Sequence, residues 1–399
     1  MSLDKKLIGE MAAAGRKIYL AEEHDPKLGP LRWLPGTWKN TPELEGHGFN
    51  IISLPFSTSP NGYRLLMNQY DEVLNFIVAD VGVPNRGVKQ LPDGTSVQTD
   101  QTAVALSYSQ IITQRSHEDS YLVSVNGPDS TLSKTDISDK FDGQGIHHEP
   151  GLWICMTDQN IPDESGVELS VARMGSIPHG NSFIAVGSAS TSNWEQIDEK
   201  QKRLPIPRIN GVVVGGGSNP AERALDPIRN SAGEIVNGDY FAPYRYFHQN
   251  PFKGKNPQIN GFSGFEPVDP TLLLRQNFDN FLKKIGTIKQ VTTLKVDSTI
   301  DHSGINRAIN PSIGNTPFIA RQADTTAMNC TFAIYEIEDS KTGILRYFLQ
   351  YAQNVILDFI NRPDGHPGRA RWPHVSINTL ERVEAAARTE SLMESLPSR

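Results

Sequence analysis

The sequence predicts a mainly β protein: one closed antiparallel barrel of about ten strands, with a long insertion and short helices at its two ends. Segments with the alternating pattern of strands recur along most of the chain and are separated by turns. The composition agrees, since 33 glycines and 27 prolines suit many turns and long loops. A hydrophobic fraction of 37% is enough for one sizeable core, and a charged fraction of 21% argues against widespread disorder.

Charge and cysteine content exclude several classes of protein and partner. The net charge is −7, and no cluster of lysine and arginine is interleaved with aromatic residues, so nucleic acid is not expected as a partner. No apolar run reaches transmembrane length, and residues 1–19 lack the apolar core of a signal peptide. We therefore expect a soluble, cytoplasmic protein without membrane attachment. The two cysteines, Cys155 and Cys330, form neither a metal-binding spacing nor a disulfide framework.

The first half of the chain is predicted to supply a helix and most of the barrel. Residues 1–24 carry apolar residues at helical spacing between Leu3 and Ile18 and are predicted to form an N-terminal helix. Residues 25–189 are predicted to form the first part of the barrel. Their strand-like segments are 48–54, 63–70, 73–78, 101–113, 151–156, 167–174 and 182–188, with a turn rich in glycine and proline expected at 83–93.

Residues 190–285 interrupt this pattern with a long stretch rich in proline, glycine and asparagine. A segment of this length inside a compact domain is usually functional or a domain of its own. Its end, 271–285, has helical patterning. It also carries an aromatic cluster that needs a partner surface, consisting of Tyr240, Phe241, Tyr244, Tyr246 and Phe247. Two surfaces could serve, so we expect the insertion to be either a lid over the barrel mouth or an arm of a homodimer.

The remainder of the chain is predicted to complete the barrel and to end in a second helix. Strand-like patterning resumes in residues 286–383, at 287–296, 330–337, 346–359 and 375–383. Residues 384–399 are predicted to form a helical tail.

The final strand opens on a histidine that is a candidate ligand-binding residue. Pro373 has no N–H to donate to a ladder, so it belongs at the first residue of a strand or at an edge. His374 is therefore predicted to lie at the rim of the sheet, where its side chain can meet a ligand. The general alternative is a core histidine with a satisfied hydrogen bond. If His374 faces inward, Val375 and Ile377 face outward, unless a bulge beside the proline changes the alternation.

Two further stretches carry polar side chains at strand ends. His147 and His148 are adjacent on a strand, so only one of them can face inward. The other would be structural and could bond to Glu149. Arg173 follows an apolar strand, and an inward arginine is costly without an anion or a hydrogen-bond partner. The alternative for both stretches is an ordinary strand end with solvated charges. The sequence contains no G-x-G-x-x-G motif, no P-loop and no histidine pair with zinc spacing.

These stretches, together with one near the N-terminus, resemble the motifs of the nitrobindin family, which are calycin-type β-barrels. The first and second motifs match at Gly36, Thr37 and Trp38 and at His147, Glu149 and Gly151. The third matches at Pro373, His374, Val375 and Leu380. The resemblance covers the barrel segments in the right order, and the insertion has no counterpart in it.

The resemblance implies a haem b cofactor held at the mouth of the barrel. His374 would be the ligand of the haem iron and so the metal site, and His147 would lie on the wall of the haem pocket. Trp372 and Met174, which are close to His374 and Arg173 in the sequence, would be further contacts of the cofactor.

A haem protein of this kind could react with peroxide, peroxynitrite or nitric oxide, or act on a small organic substrate under a lid. As catalytic residues we expect His147, a base that moves a proton, and Arg173, a cation that stabilises developing charge. Such an enzyme would be a peroxidase-like oxidoreductase or an isomerase. The main alternative is a haem-free carrier that holds an apolar small molecule in a lipocalin-like barrel. A third interpretation is an interaction protein that docks through the insertion.

Overall fold

The structure is a computed structural model. It describes residues 25–41, 44, 48–55, 59, 61–120, 142–156, 161–162, 168–197, 205–211, 230–234, 241–254, 264–300, 312–361 and 367–384. The helix predicted for residues 1–24 lies outside this part of the chain. The helical tail predicted for residues 384–399 lies outside it as well, apart from Glu384, which is the last residue of a strand.

Strands dominate the described residues. In chain order they are β1 (Gly36–Lys39), β2 (Gly48–Pro55), β3 (Tyr63–Gln90), β4 (Ser96–Asp119), β5 (Gly145–Met156), β6 (Ile161–Pro162), β7 (Glu168–Leu169), β8 (Val171–Ile177), β9 (Asn181–Asn193), β10 (Gly286–Asp297), β11 (Ile313–Asn315), β12 (Asp324–Asp339), β13 (Leu345–Asn361) and β14 (Arg369–Glu384). The α-helices are α1 (Ala242–Gln249), α2 (Leu272–Asn280) and α3 (Pro317–Ala320). The 3-10 helices are Pro26–Trp33 and Trp194–Gln196, and a π-helix spans Phe281–Ile285.

Ten strands close into an antiparallel barrel, which confirms the predicted fold class. Their order around the barrel is β2-β3-β4-β5-β8-β9-β10-β12-β13-β14, and β14 pairs back with β2 through Val375 and Ile51. β1 pairs with both β14 and β3, β11 pairs with β9, and β6 and β7 form a separate two-stranded sheet. Among the described helices, none has the length and apolar character that a membrane crossing needs.

β3 and β4 are longer than the barrel requires. β4 pairs with β5 as far as Ala103, and beyond this point β3 and β4 continue as a two-stranded ribbon to a turn at 91–95. The turn expected at 83–93 therefore starts later than predicted. Pro84 lies within β3, close to register shifts at Asp80 and Val83, and such irregularities are where a strand accommodates proline.

The 3-10 helix Pro26–Trp33 covers one end of the barrel interior. Asp25 caps its first turn by accepting a hydrogen bond from the Lys27 backbone N–H at 2.9 Å. Leu28 and Leu31 are fully buried in the interior cluster. This cluster fills the covered end with large side chains, among them Trp38, Leu106, Trp153, Phe332 and Leu380.

The helices of the insertion pack on the outer wall of the barrel, whereas residues 190–193 extend β9 and residues 230–234 form an exposed turn. Tyr244 and Phe247 of α1 are fully buried, and the Tyr244 hydroxyl is 2.7 Å from Ser53 Oγ of β2. Phe281, at the start of the π-helix, packs against Phe348 of β13 with ring centres 5.0 Å apart. None of the described insertion residues lines the barrel cavity, and Tyr240 lies outside the described residues. This placement gives the aromatic cluster its partner surface. The lid and the dimer arm remain predictions for the other parts of the insertion.

The insertion also explains the alternation of the final strand. Val375 and Ile377 belong to the outer cluster, and Phe49 of the adjacent β2 packs on Phe265 of the insertion with ring centres 5.5 Å apart. His374 therefore faces inward without a bulge beside the proline, since the only register shift between β13 and β14 lies between Phe359 and Asn361. An apolar outward face is stable here because another part of the chain covers it.

Candidate functional site

The end of the barrel opposite the 3-10 helix contains a cavity of about 400 Å³. The described lining residues come from α3, the turns beside it and every barrel strand except β10. This volume is within the range of about 300–1,000 Å³ that is typical of ligand pockets. The lining surface is mainly apolar. Its polar members include amides, hydroxyls and the histidines His147, His179 and His374.

His374 lies on the cavity wall near the start of β14, where it pairs with Val355 of β13. Its Nε2 atom is buried and has no hydrogen-bond partner within the described part of the chain. Burial, together with His147 and His179, lowers the pKa of the His374 imidazole to about 3, so the ring is neutral near pH 7. A buried polar atom without a partner costs about 1–3 kcal/mol unless a ligand supplies the missing interaction. A neutral imidazole with an open nitrogen is the form that binds a metal.

His147 faces the cavity from β5, and its neighbour His148 is exposed on the opposite face. The Nε2 atom of His147 lies 3.4 Å from Oε2 of Glu149. The inward histidine is thus the one that contacts Glu149, whereas the sequence suggested the outward one. Because a carboxylate beside Nε2 favours a proton on that nitrogen, Nδ1 of His147 is left as the acceptor.

His179 is a cavity residue that sequence reasoning did not select. It lies in the turn between β8 and β9, and its ring centre is 5.9 Å from that of His147. Burial, followed by the nearby His147, lowers the pKa of His179. The sequence feature that could have identified His179 is its position in a Pro-His-Gly turn directly after the strand that carries Arg173.

Arg173 lies one layer below the cavity and is not among the residues that line it. Its guanidinium is 1% exposed and donates to Oε1 of Glu149 and to Oε1 of Gln353, both at 2.7 Å. The same group donates to the Tyr108 hydroxyl at 3.1 Å and to Cys330 Sγ at 3.3 Å. Tyr108 in turn donates to Glu149. An inward arginine was expected to need a partner, and the main partner here is a carboxylate of the protein itself.

The Glu149 carboxyl is ionised in this layer. Burial alone raises its pKa, but the adjacent Arg173 charge and the contact with His147 outweigh burial and lower the pKa to about 2. The ion pair therefore consists of two fully buried, charged groups. Gln353, which bonds to Arg173 and also lines the cavity, connects the pair to the cavity floor.

Glu72 is a second buried carboxyl behind the cavity, and sequence reasoning missed it. It accepts hydrogen bonds from Tyr351 at 2.6 Å, from Gln110 at 2.7 Å and from Asn378 at 2.8 Å. Burial raises the pKa of Glu72 and these hydrogen bonds lower it, with a net rise. The sequence feature that could have identified Glu72 is its spacing. It lies on the same strand face as Leu74 and Phe76, which are both buried in the barrel.

Trp372 and Met174, the other expected cofactor contacts, do not line the cavity. Trp372 is fully buried among aromatic residues, with its ring centre 4.0 Å from that of Tyr63 and 5.3 Å from that of Phe359. Met174 neighbours Arg173 on β8 and so points to the opposite face of that strand, where it pairs with Leu152.

A metal site made only of side chains is not found in the described part of the chain. No group of three or more histidine, cysteine, aspartate or glutamate residues is arranged there to hold an ion. A metal inside a macrocycle has a different requirement, since one axial side chain is enough to attach it. His374 fits that requirement because it lies on the cavity wall among apolar side chains and its Nε2 has no hydrogen-bond partner in the described part of the chain.

The fold and the cavity define a closed antiparallel β-barrel with histidines in its interior, an architecture consistent with the calycin type. Comparison of the chain with protein-family models and with curated proteins finds no match. The nitrobindin resemblance therefore remains a prediction that rests on the sequence motifs.

Proposed function

We propose that the barrel cavity binds haem b and that Nε2 of His374 is the ligand of the iron. The observation that carries this proposal is a neutral imidazole on the wall of a cavity of ligand size, whose buried Nε2 has no partner in the described part of the chain. Metal binding requires a deprotonated imidazole, and the low pKa of His374 supplies it without loss of a proton. Bound haem would supply an iron with a position open to nitric oxide, peroxide or peroxynitrite.

The cavity walls suit the apolar faces of a macrocycle. Ile52, Leu66, Ile112 and Leu357 contribute branched apolar side chains from four different strands. Burying such a ligand against these side chains removes apolar surface from water, which favours binding by about 25 cal/mol per Å². His374 would fix the orientation of the ligand, and the apolar walls would supply most of the affinity.

His147 is the side chain best placed to exchange a proton with a small ligand in the cavity. Its Nε2 faces Glu149, so its Nδ1 is the atom available as an acceptor. Arg173 does not line the cavity, and we assign it a positioning role in place of the catalytic role expected from sequence. It donates to Oε1 of Glu149 at 2.7 Å, and Oε2 of the same carboxylate lies 3.4 Å from Nε2 of His147.

The proposal is tested by the visible absorption spectrum of the full chain after addition of haem, in the oxidised and reduced states. We expect a Soret band with the features of histidine ligation in the wild type. His374→Ala should abolish or shift that band while the far-UV circular dichroism remains that of a β protein. His148→Ala is the matched control, because His148 is exposed on the outer face and should leave the spectrum unchanged. An unchanged spectrum in His374→Ala would refute the ligand assignment.

A second candidate function is a haem-free carrier of an apolar small molecule. It is favoured by one observation: the described lining residues include no lysine or arginine that could pair with the propionates of haem. In that case the protein with added haem would show no Soret band above that of free haem. Native mass spectrometry would then find an apolar ligand retained equally by the wild type and by His374→Ala.

A further inference from the structure

We propose that Tyr351 and Glu72 form a redox pair at the floor of the barrel cavity. In this pair, Tyr351 gives one electron to an oxidant bound in the cavity and its phenolic proton to Glu72. The oxidant is the haem of the proposed function after reaction with a hydroperoxide, so the inference rests on that proposal. It assigns a further activity to the barrel, the reduction of a bound oxidant by one electron from the chain itself.

Tyr351 combines contact with the cavity and a proton acceptor. It lines the cavity from β13, yet its side chain is only 1% exposed. Its hydroxyl donates to Oε2 of Glu72 at 2.6 Å. A phenol that loses an electron becomes a strong acid, so the proton must leave together with the electron. A carboxylate at hydrogen-bond distance receives this proton without any movement of the chain.

The surroundings of Glu72 suit the role of proton acceptor. Gln110 donates to Oε1 at 2.7 Å and Asn378 donates to Oε2 at 2.8 Å, in addition to the Tyr351 hydroxyl. Three donors directed at one carboxyl group favour its ionised form. Burial raises the pKa of Glu72 above its ordinary value, which makes the carboxylate a better base. The site therefore holds a buried carboxylate that gains from receiving a proton.

The transfer balances in atoms and in charge. The O–H bond of Tyr351 breaks and an O–H bond forms at Oε2 of Glu72, while one electron passes to the oxidant. Tyr351 becomes a neutral phenoxyl radical and Glu72 becomes a neutral carboxylic acid, which donates back to the same phenolic oxygen. One buried negative charge is removed in this step. Because burial disfavours the charged form of a carboxyl group, the apolar surroundings favour the products.

A second tyrosine–glutamate pair in the same layer is less suited to this step. Tyr108 also donates to a buried carboxylate, that of Glu149, but Glu149 is ion-paired with Arg173 at 2.7 Å. Burial raises the pKa of Glu149, but the Arg173 charge and the contact with His147 lower it to about 2, so this carboxylate is a weak base. A proton on Glu149 would also leave Arg173 buried without its counter-charge, which is costly.

The neighbouring Tyr70 does not compete for the radical. Its hydroxyl oxygen is 2.9 Å from that of Tyr351, and it donates to the backbone carbonyl of Ile377 at 3.1 Å. A backbone carbonyl does not take up a proton near neutral pH, whereas the carboxylate beside Tyr351 does. The radical is therefore expected to stay on Tyr351.

The route from Tyr351 to the proposed iron ligand runs along one strand. Tyr351, Gln353 and Val355 are successive inward residues of β13 and all line the cavity, and Val355 pairs with His374. Two inward steps of about 7 Å each place Tyr351 about 14 Å from His374 along the wall. Electrons tunnel over such distances in proteins, so Tyr351 is within reach of a group that His374 holds.

Electron paramagnetic resonance tests the proposal on the full chain loaded with haem and frozen after mixing with hydrogen peroxide. We expect a tyrosyl radical in the wild type and its loss in Tyr351→Phe. Tyr108→Phe is the matched control, since it removes the hydroxyl of the other tyrosine–glutamate pair and should keep the radical. Glu72→Gln should form the radical about 10²-fold more slowly, the scale for one positioned acid–base group.

The visible spectrum of the same samples separates this proposal from haem binding. A wild type without a Soret band would refute haem binding, and the redox pair would fail with it. An intact Soret band without a tyrosyl radical in the wild type would overturn the redox pair alone. An unchanged radical in Tyr351→Phe, or equal loss in Tyr351→Phe and Tyr108→Phe, would overturn it as well.

Infrared difference spectroscopy gives a second test on the haem-free protein. The spectrum of the wild type minus that of Glu72→Gln at pH 7 should contain a carboxylate band, because only an ionised Glu72 can receive the Tyr351 proton. Tyr351→Phe should shift this band, since the Tyr351 hydroxyl donates to the carboxylate. The band of a protonated carboxylic acid in place of the carboxylate band would overturn the proposal.

Discussion

The two ends of the barrel interior are built from the same strands but are filled differently. On β4, Leu106 is fully buried in a close-packed cluster, whereas Ile112 borders the cavity. On β14, Leu380 is fully buried at the packed end, and His374 lies on the cavity wall at the other. Inward alternation therefore decides only which side chains enter the barrel. Their size and polarity decide whether the interior becomes a core or a binding site.

A polar layer separates the two ends. It contains the ion pair of Glu149 and Arg173 and the hydrogen-bonded Glu72, and all three side chains are buried. Gln353 bonds to Arg173 and Gln110 bonds to Glu72, while both amides also line the cavity. The hydrogen bonds of this layer therefore fix the positions of two amides at the cavity floor. The layer itself lies between the cavity and the packed end.

The largest effect is expected when this layer loses one charge. Arg173→Met leaves Glu149 buried without its cation and should lower the free energy of unfolding by about 3–5 kcal/mol. The double variant Arg173→Met with Glu149→Leu should recover most of that loss, because no unpaired charge remains. Arg369→Met is the control, since its exposed ion pair with Asp324 should contribute no more than about 1 kcal/mol. Urea unfolding measures all three. If Arg173→Met were as stable as Arg369→Met, the ion pair of Arg173 and Glu149 would not stabilise the polar layer.

A smaller effect should distinguish the two ends directly. Leu106→Ala at the packed end should cost about 2–5 kcal/mol, the sum of lost burial and a new void. Ile112→Ala on the same strand should cost less, because its side chain already borders open space and the void term is smaller. Equal losses in the two variants would contradict the distinction between a packed end and a cavity end.

The sequence predicted the barrel well because alternation and turn residues are local signals. It could not show that the insertion covers the outer wall, since this contact joins Phe265 to Phe49 across more than half of the chain. The same limitation applied to His374. An inward His374 turns Val375 outward, and the sequence could not show that the insertion shields this outward face from water. For Arg173, the sequence indicated the need for a partner but could not identify Glu149, which lies on a neighbouring strand.

The cavity end should also respond to pH in a way that the packed end does not. The pKa of His374 is about 3 in the folded protein, below its ordinary value of about 6.5. Between these two pKa values, His374 is protonated in the unfolded chain and neutral in the folded chain. The free energy of unfolding therefore falls as the pH falls from about 6.5 towards 3. Between about pH 7 and pH 4.5, His374→Gln without haem should lose about 2 kcal/mol less stability than the wild type. Equal losses, measured by urea unfolding, would show that His374 is not buried in its neutral form.

The central claim is that the open nitrogen of His374 holds the haem iron, and rescue by imidazole tests it most directly. His374→Gly removes the ring and leaves space on the cavity wall for a free imidazole molecule. We predict that His374→Gly with haem lacks the wild-type Soret spectrum, and that added imidazole restores it in a saturable manner. A wild-type spectrum in His374→Gly before imidazole is added would contradict the claim.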